Sequence, residues 1–249
     1  MDYNPFSLLG KTILITGASS GIGKATAIEC SKMGARVIIT ARNVERLEQT
    51  IKQMAGSDHE YIQADLSRYE DIKKLVDNVP EIDGLVNNAG ISRPILAQFI
   101  SEEVVNAIFS VNTFAPIYLT QGLLKQKRIK NKGSIVFTSS ISGLVCSEVG
   151  ESLYSASKAA INGFVKGAAI ELATKGIRLN TVNPGLIDTN IFDEGIITKE
   201  QLEEKKKKYP LRRFGKPEEV AYAIIYFLSD ASLWTTGANL IIDGGYTLI

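Results

Sequence analysis

Short apolar, β-branched runs alternate with longer stretches of mixed polarity along this chain. Lys11–Thr16 (KTILIT) and Ala35–Thr40 (ARVIIT) are apolar on both faces, the pattern of strands buried in a parallel sheet. Tyr61–Ala64, Asp83–Val86, Gly133–Ser139 (GSIVFTS), Ile177–Val182 and Asn239–Ile242 read as five further strands. Between them the spacing predicts helices over Lys24–Met33, from a cap at Asn43 to Met54, and from a capping box at Ser67–Glu70 to Val79. Three more are predicted over Ser101–Lys127, Glu151–Leu172 and Pro217–Ser229. Strand and helix in alternation predict an α/β fold: one doubly wound, seven-stranded parallel sheet in three α/β/α layers, binding ligands at the carboxyl ends of its strands. Pro116 falls inside the Ser101–Lys127 helix. It has no N–H for the carbonyl of Asn112, four residues back, so a kink that frees this acceptor is expected, with a tolerated packing kink as the plainer alternative.

Composition changes the picture mainly by exclusion. The 249 residues, 45% hydrophobic, suit a single α/β domain over residues 1–249. A net charge of +1 gives no electrostatic reason to expect nucleic acid or a membrane surface as partner. Cys30 and Cys146 are too few for a disulfide framework and fit a reducing compartment. His59 is the one histidine, so a histidine metal cluster and a Ser-His-Asp triad are both unexpected, and no metal is predicted. No leader peptide is visible, and no apolar run approaches the ~18 residues of a membrane span. One cytoplasmic unit is the expectation.

Candidate chemistry gathers at the predicted strand ends. Gly17-Ala18-Ser19-Ser20-Gly21-Ile22-Gly23 joins the first strand to the first helix. Such a turn lets backbone approach a pyrophosphate at a helix N-terminus, although any tight strand-to-helix turn favours glycine. The second strand ends at Ala41-Arg42-Asn43, without the acid that usually receives a ribose 2′-hydroxyl. Arg42 suits a 2′-phosphate instead, which favours NADP(H) over NAD(H); a surface arginine opening the next helix is the alternative. Tyr154 and Lys158 lie four residues apart on one helix, hence on one face. A nearby ammonium favours a phenolate, and a lowered pKa would make Tyr154 a usable proton donor or acceptor.

Five segments together resemble the short-chain dehydrogenase/reductase family: TGASSGIG at 16–23, DL at 65–66, NNAG at 87–90, YSASK at 154–158 and NPG at 183–185. The resemblance runs over essentially the whole chain and implies a Rossmann-type fold. It implies a catalytic set of Asn112, Ser140, Tyr154 and Lys158, with Ser140 chosen because it precedes Gly143 by three residues. Tyr154 would give its proton to the substrate oxygen, Ser140 would steady that oxygen, and Lys158 would hold the phenol pKa down and bond the nicotinamide ribose. Asn112 would hold a water that links Lys158 to solvent. The cofactor would lie along Gly17, Ser19, Ser20, Gly21, Ile22, Gly23, Arg42, Asp65, Leu66, Asn88, Ala89, Gly90, Pro184, Gly185, Ile187 and Thr189. Residues 190–213, with Ile191, Phe192, Ile196 and Ile197, would cover the substrate, and Lys205–Lys208 reads as a solvated helix face. The last helix and strand would form subunit contacts in a homotetramer.

Within the family the pattern looks most like 3-oxoacyl-(acyl carrier protein) reductases. Lys125, Lys127, Arg128, Lys130, Lys132 and Lys175 are candidates for meeting an acidic carrier, with ordinary surface charge as the alternative. Another ketone, sugar, polyol or steroid would suit the same scaffold. A nucleotide-sugar epimerase of the extended branch is disfavoured by chain length. A non-catalytic NADP-binding sensor is disfavoured because all four catalytic positions are filled.

Overall fold

The computed structural model describes residues 3–189 and 199–249. Its strands are β1 (Thr12–Thr16), β2 (Arg36–Thr40), β3 (Glu60–Tyr61), β4 (Ile82–Asn87), β5 (Ile129–Thr138), β6 (Arg178–Pro184) and β7 (Asn239–Ile242). They form one seven-stranded sheet in the order β3-β2-β1-β4-β5-β6-β7, every pair parallel. The helices are α1 (Gly21–Lys32), α2 (Val44–Ile51), α3 (Tyr69–Asn78), α4 (Glu102–Phe109), α5 (Ala115–Lys125), α6 (Ser152–Leu172), α7 (Lys199–Lys207) and α8 (Pro217–Leu228). This is the Rossmann-like α/β architecture expected from the alternating runs.

The two helical layers follow from the pleat, which turns successive strand residues to opposite faces. Ile13, Ile15, Val37, Ile39, Val86 and Val136 pack with α1 and α8. Leu14, Ile38, Leu85, Ile135, Phe137 and Leu179 pack with α3, α5 and α6. At roughly 1.5–3 kcal/mol for each such side chain fully buried, these two cores bind the layers to the sheet. Helices α1 and α8 also pack directly on each other, although most of the chain lies between them. Lys11 of the β1 approach pairs with Asp230 at 2.6 Å, just beyond α8.

Three expected elements differ. The helix expected over Ser101–Lys127 is two helices, α4 and α5, joined by a π turn at Ser110–Phe114 whose Ala115 N–H reaches back to Ser110 O. Pro116 lies in the first turn of α5, where a missing N–H costs least. The capping box at Ser67 is absent: α3 is capped at Arg68, without a side-chain cap. The Ser67 hydroxyl donates to Asp65 at 2.7 Å instead, and the Asp65 N–H donates to Asp71 at 3.2 Å. Strand β3 is short, although Ile62 and Ala64 continue its pairing through bonds to Ile39 O and Ala41 O. Of the expected substrate cover, Asn190, Ile191, Phe192, Ile196 and Ile197 lie outside the described residues. In α7 the lysines pair with carboxylates: Lys206 with Glu203, Lys207 with Glu204, and Lys205 with Glu148 of the loop before α6.

Candidate active site

Strand β5 ends at Thr138, and the two serines after it point to opposite sides. Ser139 donates to the Lys158 carbonyl at 3.1 Å. The Ser140 hydroxyl accepts the Ser142 N–H at 3.0 Å and hydrogen-bonds to the Tyr154 phenol. Helix α6 sets Tyr154 and Lys158 on the face turned to this strand end. Lys158 is buried, donates from Nζ to the Thr138 carbonyl at 2.8 Å, and lies 5.8 Å from the centre of the Tyr154 ring.

Burial lowers Lys158 to about 8. It pushes the Tyr154 phenol up to about 12, against the Ser140 hydrogen bond, while the Glu151 charge pushes in the same direction as burial. This corrects the expectation that Lys158 holds the phenol down. The ammonium is committed to a backbone carbonyl, and loss of solvent around the phenol outweighs the proximity of the lysine.

Asn112 comes from the π turn and is also buried. Its Oδ1 accepts from Ile91 N at 2.8 Å, and its Nδ2 donates to Ile91 O at 2.8 Å and Ser157 Oγ at 3.1 Å. Thr113 donates to Ser157 O at 3.0 Å, so the widened turn sets two consecutive side chains against α6. Gly90 shows how closely the parts meet: a Cβ there would stand 3.2 Å from Lys158 Nζ and 3.4 Å from Asn112 Oδ1.

The glycine turn adjoins this cluster. Thr16 Oγ1 accepts from both Asn88 N and Ala89 N, at 2.9 and 3.0 Å, tying the end of β1 to the loop after β4. Asn88 Nδ2 donates to Thr16 O at 3.2 Å. Gly17 has φ +67°, and a Cβ on Gly23 would collide with Gly17 O and the Asn88 amide. At the start of α1, the Ser20 side chain makes no capping bond and the first turn holds no acid. Its N–H groups therefore point beside Ser19, Gly21 and Ile22 without a competing side-chain anion, as a phosphate site requires.

From Pro184, the last residue of β6, Gly185 leads to Ile187, which bridges to Gly215, and to Thr189, whose methyl group faces Gly21. The Thr189 hydroxyl is buried and finds no hydrogen-bond partner among the described residues. At the outer end, exposed Arg42 lines a pocket of about 380 Å³ with Gln63, Asp65, Asp71 and Lys74. Burial works against the Asp65 carboxylate, yet the two Ser67 hydrogen bonds and the charges of Arg42 and Arg68 hold its pKa below the usual range. Leu66 is packed into the core, so only its backbone faces this end.

Several contributors escaped sequence reasoning. Thr16, Ser142, Glu151, Ser157 and the Thr138 carbonyl all hold the cluster together, and of these only Thr16 and Ser157 lie inside the recognised motifs. Conversely, the basic run at Lys125–Lys132 sits at the amino end of β5. Ile129 pairs with Ile82 and Phe137 with Asn87, so at ~3.3 Å per residue of β4 that is roughly 15–20 Å from Thr138. Lys130 is paired there with Asp83 at 3.0 Å, and Lys175 lies at the same end, beside the Gly176 that faces Lys132. Within one chain these cations do not flank Tyr154. Among the described residues there is no metal-holding cluster and no helix long and apolar enough to cross a membrane.

A family model described as enoyl-(acyl carrier protein) reductase matches residues 17–247. The 3-oxoacyl-(acyl-carrier-protein) reductase FabG of Thermotoga maritima is 38% identical over 248 residues, covering 97% of this chain and 99% of the relative. The NADP-dependent (R)-specific alcohol dehydrogenase of Lentilactobacillus kefiri is 36% identical, with 96% and 98% covered. The Pseudomonas aeruginosa RhlG/NADP active-site complex superposes with a TM-score of 0.91 at 29% identity, covering 98% of this chain and all of that one. With motifs, sheet order and whole-chain matches in agreement, this chain belongs to the short-chain dehydrogenase/reductase family of nicotinamide-dependent oxidoreductases and is most similar to its 3-oxoacyl-(acyl carrier protein) reductases.

Proposed function

We propose that this protein is an NADP(H)-dependent reductase interconverting a ketone and a secondary alcohol, with a 3-oxoacyl thioester carried on acyl carrier protein as its substrate. The observation that carries this reading is the meeting of the Tyr154 phenol with Ser140, above buried Lys158, beside the uncapped start of α1.

The residues present fit a dinucleotide. The turn from Gly17 through Ser19, Ser20, Gly21, Ile22 and Gly23 would hold its phosphates. Asp65, the Leu66 backbone, Asn88, Ala89 and Gly90 would hold the adenosine side and ribose. Pro184, Gly185, the Ile187 backbone and the Thr189 hydroxyl, without a partner among the described residues, would meet the carboxamide end. Arg42, with no acid replacing it at the end of β2, favours a 2′-phosphate. When bound, the nicotinamide supplies the hydride equivalent. The chain supplies the rest. Tyr154 donates its proton to the carbonyl oxygen, and Ser140 donates a hydrogen bond to the same oxygen as charge develops. Lys158 adds positive charge beneath the phenol. Asn112, fixed by Ile91 and Ser157, holds the wall between Lys158 and solvent from which the proton is restored.

The carrier-bound substrate is favoured by the names of the most similar relatives, and the basic run near β5 lends it no support within one chain. The alcohol dehydrogenase relative favours a second reading, a small free ketone. Leu240 and Ile241, half-exposed on edge strand β7, and fully exposed Trp234 fit contacts with further copies, consistent with a homotetramer. The free thiols of Cys30 and Cys146 fit a cytoplasmic setting.

The test is NADPH oxidation with acetoacetyl thioesters of coenzyme A and of acyl carrier protein, with NADH in parallel. Turnover should be faster with NADPH and faster on the carrier. Tyr154→Phe should lose roughly a thousandfold in turnover and still bind NADPH by fluorescence. A Tyr154→Phe protein that keeps its activity would refute the mechanism.

A further inference from the structure

Glu151 stands at the N-cap of α6, one turn before Tyr154. Its side chain does not cap the helix. It turns to the loop after β5, where the Ser142 hydroxyl donates to Glu151 Oε2 at 2.9 Å. The N–H of the same Ser142 donates to Ser140 Oγ at 3.0 Å. One serine therefore joins the carboxylate to the hydroxyl that meets Tyr154. Because Ser140 Oγ already accepts from this N–H, its own proton is directed outward to an acceptor.

We infer that Glu151 is a positioning residue for the reaction: its carboxylate anchors the loop that aims Ser140, and its charge keeps the proton on Tyr154 until a substrate oxygen can take it. This rests on the ketone-reductase reading proposed above.

The charges around Glu151 leave it acting on the phenol. Its own loop brings Cys146 and Glu148. The segment after β7 brings Asp243 and Tyr246, whose hydroxyl donates to Glu148 at 3.3 Å. Helix α6 brings Tyr154 and buried Lys158, and the loop after β4 is tied in by Ile95 N to Gly150 O at 2.8 Å. Lys205 of α7 pairs with Glu148, not Glu151. A negative charge on that side disfavours the phenolate, in agreement with the upward push that Glu151 gives Tyr154. The proton-donating form is thereby held over a wider alkaline range, at the expense of the phenolate that alcohol oxidation needs.

Glu151→Gln keeps an acceptor for Ser142 and removes the charge. The experiment is the pH dependence of kcat/KM for acetoacetyl-coenzyme A reduction with NADPH and for 3-hydroxybutyryl-coenzyme A oxidation with NADP⁺. In the variant, the alkaline limb of reduction and the rising limb of oxidation should both move to lower pH. Oxidation below that limb should rise roughly threefold, the factor for half a pH unit. Ser142→Ala keeps the charge and frees the loop; it should lower kcat and leave both limbs in place. Limbs unmoved in Glu151→Gln, or an unchanged kcat in Ser142→Ala, would overturn the inference while the reductase reading stands. A wild-type protein that turns over neither substrate would overturn that reading and this inference with it.

Discussion

Lys158 is held away from water, with no carboxylate paired to it among the described residues, and that has a thermodynamic signature. Its ammonium titrates at about 8 in the fold, against ~10.4 in an unfolded chain. Between those values the unfolded chain binds a proton that the folded chain has released, so this residue's contribution to stability rises with pH across that window. Tyr154 works in the opposite sense: the folded phenol keeps its proton to about 12, while an unfolded one loses it near ~10, so its contribution falls above that point. In urea unfolding, wild type should therefore gain on Lys158→Met between about pH 8 and pH 10; an equal gap at both ends would mean the lysine is not desolvated. Arg42 makes a second prediction at this scale. Arg42→Ala should raise the KM for NADPH roughly ten- to a hundredfold, the worth of a lost charge-assisted bond, and leave that for NADH nearly unchanged. Tyr154 and Lys158 could be named from their local spacing, whereas Ser140 and Asn112 could be named only through five motifs that together, not singly, point to the family. Ser142, Glu151 and Ser157 could not be named, because each matters through a partner brought near by folding. The direction of the Tyr154 shift was misread for the same reason: spacing reveals a neighbouring cation but not the loss of solvent.

Whole elements were mostly legible from apolar runs and caps, with β7 matching its expected bounds and α6 starting one residue late. The break between α4 and α5 was half legible. Pro116 marked the place, while the π turn depends on Asn112 and Thr113 finding Ile91 and Ser157. The capping box at Ser67 failed because Asp65 competes for that hydroxyl. Between elements, Arg178 has a role no pattern announces. From the first position of β6 it donates to Phe227 O at 2.7 Å, Ser229 O at 3.3 Å and Ser232 Oγ at 2.8 Å, closing off the carbonyl end of α8. Arg178→Met would remove these charge-assisted bonds from a buried site, leaving Phe227 O to Ser134 and Ser232, and Ser229 O to Ser232. The variant should be less stable by about 3 kcal/mol in urea, with kcat unchanged at low temperature because the site lies at the opposite end of the sheet.

At the scale of the molecule, the two ends of the sheet divide the work. The carboxyl ends gather Thr16, Asn88, Ser140 and Pro184. The amino ends carry ties such as Lys11–Asp230 and Lys130–Asp83. Sheet class and polarity were legible from alternation alone, but the placing of the basic run was not, since only strand direction puts Lys125–Lys132 far from Tyr154. The packing of α1 on α8 adds a constraint in time. During synthesis the apolar face of α1 emerges early, and its cover arrives only after the chain between Lys32 and Pro217 has been made. At about 5–20 residues per second that is an interval on the order of ten to forty seconds. Through that interval the face of α1 that meets α8 stays without its cover, so this fold closes late, by joining a helix near one end of the chain to one near the other.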